Sequence, residues 1–213
     1  MPTFDEVFDG TSLMAILRGF PPERTVELAQ RAWDLGFAAV EVPIGSPDQV
    51  PSLAAAVRAG AERGRSVGAG TIVTIDLVRV AAEVGAAYTV APGLDLDVLA
   101  ASAASGLPHL PGIATASEVQ RARAAGCDWV KAFPASSLGP SWFRDIRGPF
   151  PDVRYVATGG LDGHSAGPFL AAGATVVGVG PALADPAQQD LLARLVRGSA
   201  SRTPADRGVP SAS

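Results

Sequence analysis

Two hydrophobic rhythms alternate along the chain. Ala- and Leu-rich segments with apolar positions three and four residues apart give way, at a glycine, to short apolar runs that end in Gly, Pro or Thr. Six breaks have this form. They are Asp34-Leu35-Gly36 ahead of Ala38–Pro43, Arg63-Gly64 ahead of Arg65–Ala69 and Val84-Gly85 ahead of Ala87–Ala91, followed by Ser105-Gly106, Ala125-Gly126 and Ala172-Gly173. Glycine suits the left-handed position that ends a helix, so each break reads as a helix handing over to a strand. The repeat is a βα unit of about 20 to 28 residues, short for half of a dinucleotide-binding fold and right for a tight barrel.

Eight strands are predicted, at Ser12–Leu17, Ala38–Pro43, Arg65–Ala69, Ala87–Ala91, His109–Pro111, Asp128–Phe133, Arg154–Ala157 and Thr175–Val179. Helices fill the gaps, and a short helix around Phe4–Phe8 is expected to close the barrel floor. Strand–helix alternation with short links favours a parallel sheet, and eight units in one domain favour closure. The expected fold class is therefore α/β, a single-domain (β/α)8 TIM barrel over residues 1–197, with an open doubly wound sheet as the competing arrangement. From Gly198 to Ser213 the composition turns to Gly, Ser, Pro and Arg, which reads as a disordered polar tail without an assigned function.

Composition narrows the partners. At 213 residues the chain is large enough to bury a core without disulfides or a structural metal. Its net charge of −4 and scattered basic residues argue against a nucleic-acid or anionic-membrane surface and for a small, diffusible ligand. Although 47% of the residues are hydrophobic, no apolar run reaches the roughly 18 residues a membrane span needs. The single cysteine, Cys127, cannot form an internal disulfide, and Met1–Gly10 carries Asp5, Glu6 and Asp9 with no basic segment. These features favour the cytoplasm over an exported protein.

Active sites of (β/α)8 barrels lie where strands end and βα loops begin. The unusual residues fall at those ends: Arg18-Gly19 after the first strand, Glu41 in the second, Gly68-Ala69-Gly70-Thr71 after the third and Ala91-Pro92-Gly93 after the fourth. Pro111-Gly112 closes the fifth, Lys131 lies in the sixth, Thr158-Gly159-Gly160 ends the seventh and Gly178-Val179-Gly180 the eighth.

Lys131 stands out first. Of the 17 basic residues it is the single lysine, so arginine serves wherever a positive charge suffices. An amine can lose its proton when desolvated and attack a carbonyl, which a guanidinium cannot. Trp129-Val130-Lys131-Ala132-Phe133 is an apolar run, a costly place for a charge that is neither paired nor put to use. The plainer alternatives are a lysine that snorkels to solvent or a buried ion pair. Glu41 lies between Val40 and Val42, so strand alternation turns it away from the helices and into the barrel, the side Lys131 also faces. A carboxylate beside an amine can pass protons during imine chemistry, or simply form a salt bridge with Lys131 or Arg18. The glycine pairs at 159–160 and 178–180 offer backbone N–H groups to an anion, or simply tight turns. Arg18 offers a two-pronged fork for a carboxylate or phosphate, unless it is a plain surface arginine, and Thr71 adds a hydroxyl.

Other chemistries lack their parts. With His109, His164 and one cysteine there is no metal-ligand cluster, and no nucleophile elbow, phosphate-binding loop of the NTPase type or dinucleotide fingerprint occurs. His109, within Leu107-Pro108-His109-Leu110-Pro111, reads as a packed or capping histidine, and His164 opens a helix. A phosphate-gripping isomerase or synthase that uses Lys131 electrostatically, and a non-catalytic sugar-acid-binding barrel, remain as competing readings.

The order Ala15-Ile16-Leu17-Arg18-Gly19, Gly36 to Glu41 with Pro43 and Ser46-Pro47, Gly68-Ala69-Gly70-Thr71, Pro111-Gly112, Lys131-Ala132-Phe133-Pro134 with Ser136 and Gly139-Pro140, then Gly159-Gly160, resembles the bacterial 2-keto-3-deoxy-6-phosphogluconate aldolase family. Ile-Leu-Arg-Gly with the Ser46-Pro47 pair is similar to the branch acting on 2-dehydro-3-deoxy-6-phosphogalactonate. The resemblance implies a homotrimeric class I aldolase, with neither metal nor organic cofactor, that releases pyruvate and glyceraldehyde 3-phosphate. It implies Lys131 as the Schiff-base lysine and Glu41 as proton donor and acceptor. It further implies Arg18 and Thr71 as substrate contacts, with Gly160 and Gly180 donating backbone N–H groups to phosphate; Pro92, Thr158, Gly159 and Gly178 are further candidate substrate contacts by their place at the strand ends. Two positions depart from the family pattern. Gly45 stands where the gluconate enzymes carry an arginine, and Pro181 where a serine is common, so 4-hydroxy-2-oxoglutarate or another non-phosphorylated 2-keto acid is an alternative substrate, beside 2-dehydro-3-deoxy-6-phosphogluconate itself.

Overall fold

In a computed structural model that describes residues 3–200, every strand lies parallel to its neighbours, and every strand but His109–Leu110 is followed by a helix or helical turn. The strands are β1 (Leu13–Ile16), β2 (Ala39–Pro43), β3 (Val67–Gly70), β4 (Tyr88–Val90), β5 (His109–Leu110), β6 (Gly112–Ile113), β7 (Trp129–Ala132), β8 (Arg154–Ala157) and β9 (Val176–Val179). Their lateral order is β5-β4-β3-β2-β1-β9-β8-β7-β6. The two edges, β5 and β6, are halves of one strand, so the sheet closes on itself as the expected (β/α)8 barrel.

The predicted fifth strand, His109–Pro111, is thus corrected to an interrupted one that reaches Ile113. Pro111 has no N–H to give to the ladder, which breaks the pairing pattern at that residue. Its carbonyl still accepts from Lys131 N–H at 2.8 Å, and Gly112 N–H donates to the Gly93 carbonyl at 3.0 Å. The wall is continuous even though the regular pairing is not.

The six glycine breaks behave as expected: Gly36, Gly64, Gly85, Gly106, Gly126 and Gly173 all have positive φ. Side chains of the residues just ahead of the helices set four of their starts. Thr74 caps α4 (Ile75–Val84), Asp95 caps α5 (Leu96–Ala104), Thr115 with Glu118 forms a capping box on α6 (Ala116–Ala124), and Asp162 caps α8 (Gly163–Ala171). The remaining helices are α1 (Phe4–Val7), α2 (Pro22–Asp34), α3 (Val50–Glu62), α7 (Ala135–Arg147) and α9 (Gln189–Ala200). His164 lies in the first turn of α8, as its sequence context suggests. α9 runs past Gly198, where the sequence reading begins the tail, and residues 201–213 lie outside the described part of the chain.

Strand alternation splits the apolar side chains into two clusters. Val40, Val42, Val130, Ala132, Tyr155, Ala157, Val177 and Val179 face outward and pack under the helices. Met14, Ala39, Tyr88, Val90, Leu110, Trp129, Val156 and Val176 face inward and fill the lumen. α1 plugs that lumen from below with Phe4, Val7 and Phe8. The Phe8 and Trp129 ring centroids are 4.9 Å apart, and Phe4 meets the Tyr88 ring edge-on at 5.9 Å.

Candidate active site

Two residues further along each inward row, the character of the lumen changes. Ala39 is followed on its face by Glu41, Trp129 by Lys131, Val156 by Thr158 and Val176 by Gly178, because side chains two apart share a face. These second positions lie nearer the strand C-termini, so one short step converts an apolar plug into a polar site.

Glu41 has no exposed surface and Lys131 is 4% exposed. The Lys131 Nζ lies 4.0 Å from Glu41 Oε1, at the outer limit of an ion pair, and 5.4 Å from the centroid of the Phe133 ring. Neither carboxylate oxygen of Glu41 has a hydrogen-bond partner, nor does the buried hydroxyl of Thr158. Native folds satisfy buried polar atoms almost without exception, so unsatisfied ones pointing at a shared space mark a place kept for chemistry or a ligand. A carboxylate beside an amine, both away from water, can exchange protons with whatever enters between them.

Glycines on β3 make this possible. A Cβ on Gly70 would collide with the Glu41 carboxylate, and one on Gly68 would collide with the Tyr88 ring. The two glycines therefore leave room for the acid above and the phenol below. The Tyr88 hydroxyl donates to the Val40 carbonyl at 2.7 Å. Burial, and secondarily the Glu41 carboxylate, hold that phenol protonated well above its usual range.

Above the pair opens a cavity of about 330 Å³ lined by Ile16, Arg18, Phe20, Lys131, Phe133, Thr158, Gly159, Gly160, Leu161, Gly178, Gly180 and Pro181. Its size suits a small sugar acid. Arg18, Lys131, Thr158 and the glycines 159, 160, 178 and 180 are thus brought together. Glu41 joins them through Lys131. Thr71 stands outside the lining but touches it through Arg18, whose Nη2 donates to the Thr71 hydroxyl at 3.1 Å. Pro92 is not part of the lining: its backbone carbonyl backs directly onto Gly112, where a Cβ would collide with it. Gly159 and Gly160 both have positive φ, and Cβ atoms there would press on Phe133 and on Ser136 Oγ respectively. Pro181 opens a 3-10 turn, Pro181–Ala184, at a position where another residue would offer an N–H.

The sequence reading left out Ile16, Phe20, Phe133 and Leu161, the apolar walls. Two had a usable signal, since Ile16 shares a face with Arg18 and Phe133 shares one with Lys131. His109 lies outside the site. Its Nδ1 is 2.8 Å from Thr89 Oγ1, and burial, against a weaker pull from Asp95, lowers it to about 4.

Comparison with known proteins points the same way. The family model described as KDPG and KHG aldolase matches residues 4–196. A probable 2-dehydro-3-deoxy-6-phosphogalactonate aldolase of Rhizobium meliloti (strain 1021) is 37% identical over 82% of this chain and 82% of its own length. The 2-dehydro-3-deoxy-6-phosphogalactonate aldolase of Escherichia coli (strain K12) is 33% identical over 79% of this chain and 82% of its own. A solved structure described as native KDPGal superposes with a TM-score of 0.79 at 30% identity, covering 88% of this chain and 95% of that one. A porous cage designed by fusing symmetric oligomeric domains superposes with a TM-score of 0.77 at 29% identity, over 89% of this chain and 72% of that one.

Proposed function

We propose, for a chain that belongs to the KDPG and KHG aldolase family, cleavage through a Schiff base of a 2-keto-3-deoxy-6-phospho sugar acid, with 2-dehydro-3-deoxy-6-phosphogalactonate as substrate and pyruvate and glyceraldehyde 3-phosphate as products. One observation carries the chemical part: a buried amine and a buried carboxylate that accepts no hydrogen bond, 4.0 Å apart beneath the cavity. The galactonate preference is supported by the names of the two relatives at 37% and 33% identity.

In this reading the neutral Lys131 amine adds to the C2 carbonyl, and the carbinolamine loses water to give a protonated imine. Glu41 takes the C4 hydroxyl proton and the C3–C4 bond breaks. Its electron pair moves onto the iminium as an enamine, and the aldehyde departs. Glu41 then delivers a proton to C3, and water hydrolyses the imine to pyruvate and free amine. Arg18 and the glycines Gly160 and Gly180 grip the anionic ends, and Thr158 meets a substrate hydroxyl. Pro181 withholds one backbone donor from the phosphate end, which favours a second substrate reading, 4-hydroxy-2-oxoglutarate or another non-phosphorylated acid.

The assembly in this reading is a homotrimer, with Val73 and Ile75, 47% and 41% exposed, available for subunit contact; a monomer in sedimentation would count against it. The compartment is the cytoplasm. Cys127 is unpaired, and burial, with a smaller push from Asp128, raises it to about 11, so the thiol is poorly reactive.

Borohydride reduction in pyruvate should leave one adduct, on Lys131, by mass spectrometry. A panel of phosphorylated and free 2-keto acids then ranks the substrates. An active wild type without a trappable adduct would overturn the covalent mechanism.

A further inference from the structure

We infer that Gly45 is a positioning residue for Arg18, acting through the methyl group of Thr71. The inference deepens the proposed function, because it concerns the arginine fork expected to hold the anionic substrate.

The three residues sit at the ends of three adjacent strands. Arg18 follows β1, Gly45 follows β2 and Thr71 follows β3. Thr71 is the one non-glycine residue with positive φ among the described residues, at 61°. A β-branched residue in that region is a true outlier and persists only where its surroundings over-determine it. Here they do. On its C-terminal side Ile72 is fully buried and its N–H donates to the Val90 carbonyl at 3.0 Å; on its N-terminal side the Gly70 carbonyl accepts from Ile44 N–H at 2.9 Å. The backbone at Thr71 is therefore clamped from both sides, leaving χ1 as its free variable.

Gly45 then limits χ1. A Cβ at position 45 would lie 2.7 Å from Thr71 Cγ2 and 3.4 Å from Thr71 Cβ. The first distance is impossible and the second tolerable, so the conflict is with the methyl alone. With the backbone clamped, the methyl yields only by rotation about χ1, and rotation carries the hydroxyl off Arg18 Nη2, now 3.1 Å away. Glycine at 45 thus keeps the methyl in its slot, the methyl keeps the hydroxyl on Arg18, and the hydroxyl holds one prong of an otherwise exposed guanidinium. An exposed arginine left without that partner spends its time among many rotamers, and substrate must pay to order it. Gly45 itself lies outside the positive-φ region, so alanine there meets no left-handed backbone strain.

The test is a rescue. Gly45→Ala is expected to raise KM for the anionic substrate roughly five- to ten-fold, the size of one ordinary hydrogen bond lost at an exposed site, with kcat changed less. Adding Thr71→Ser removes the obstructing methyl and retains a hydroxyl, so the double variant should return to within about twofold of Thr71→Ser alone. The Arg18 Nε–H resonance should shift in Gly45→Ala and move back in the double variant, a readout that needs no turnover. An unchanged KM and resonance in Gly45→Ala, or a defect that Thr71→Ser fails to relieve while thermal unfolding is normal, would overturn the inference. A wild type with no imine and no cleavage would instead sink the functional reading, and the resonance would still decide the role of Gly45.

Discussion

The lower and upper halves of the barrel lumen are built from the same strands, two residues apart, and they treat polar atoms in opposite ways. Below, the polar atoms of the two rings that meet the aromatic plug are partnered: the Tyr88 hydroxyl donates to the Val40 carbonyl, and Trp129 Nε1 donates to Asp5 Oδ1 at 3.1 Å. Arg154 lies over the Trp129 ring at 5.0 Å and pairs with the same Asp5. Above, both oxygens of Glu41 and the hydroxyl of Thr158 are buried without a hydrogen-bond partner. The lower half is closed by stacked rings, while the upper half opens on a cavity with its buried acid and hydroxyl free of hydrogen bonds, as the proposed function requires. Stability and chemistry are thus separated along the barrel axis by about one strand repeat, and substitutions in the two halves should separate accordingly.

The largest expected effect lies at the top. Lys131→Arg keeps a nitrogen donor beside Glu41 but cannot form an imine, so the cleavage rate should fall by at least about 10⁴-fold and the borohydride adduct should vanish, while thermal unfolding moves little. Glu41→Gln should still allow an adduct but slow turnover by about 10² to 10⁴-fold. Residual cleavage near the wild-type rate in Lys131→Arg would break the comparison outright, because the upper half would then be another piece of core.

The mirror experiment lies at the bottom. Phe8→Ala removes a ring that is 4% exposed and stacked near Trp129 and Phe4. Chemical denaturation should register a loss of roughly 3–5 kcal/mol. At a temperature where the variant remains folded, kcat should stay within a few-fold of wild type. A large kcat loss in a well-folded Phe8→Ala protein would mean that the plug positions Lys131 through Trp129, and the two halves could no longer be treated as independent.

How far these halves could be told apart without coordinates depended on the residue. Lys131 was legible because its rarity among arginines needs a chemical reason, and Glu41 because a charge between two valines in a strand must face the lumen. The barrel itself was legible in its repeated glycine breaks, each of which requires a positive φ. Pro111 was harder, since a strand that pairs through its carbonyl but not its nitrogen has no distinct pattern. Among the apolar walls of the cavity, Phe133 could have been found from the face it shares with Lys131, whereas Leu161 looks like core in any sequence. The left-handed backbone of Thr71 was not legible either: threonine disfavours it, and only the clamps at Ile72 and Gly70, made by distant partners, impose it.

The smallest effect concerns pH and asks whether stability and activity titrate separately, as two independent halves require. His109 lies on the outward face of β5 and lines a groove beside Phe4 and Trp129, on the floor side of the barrel. Burial lowers it to about 4 from an ordinary value of 6.5. The folded state therefore holds His109 neutral where the unfolded chain takes up a proton. Its contribution is fully present above pH 6.5 and is lost as pH falls from there toward 4, amounting to about 3 kcal/mol at the low end. His109→Asn keeps an N–H for Thr89 and has no titration in this range, so its unfolding free energy should fall less steeply between pH 6.5 and 4 than that of wild type. Carboxylates lowered by their hydrogen bonds, such as Asp162 and Glu118, act in both proteins and cancel in the difference. The pH profile of kcat, set by the upper half, should be superimposable in the two proteins. Parallel stability slopes would remove His109 from the account, and a shifted kcat profile would show that the floor side reaches the chemistry after all.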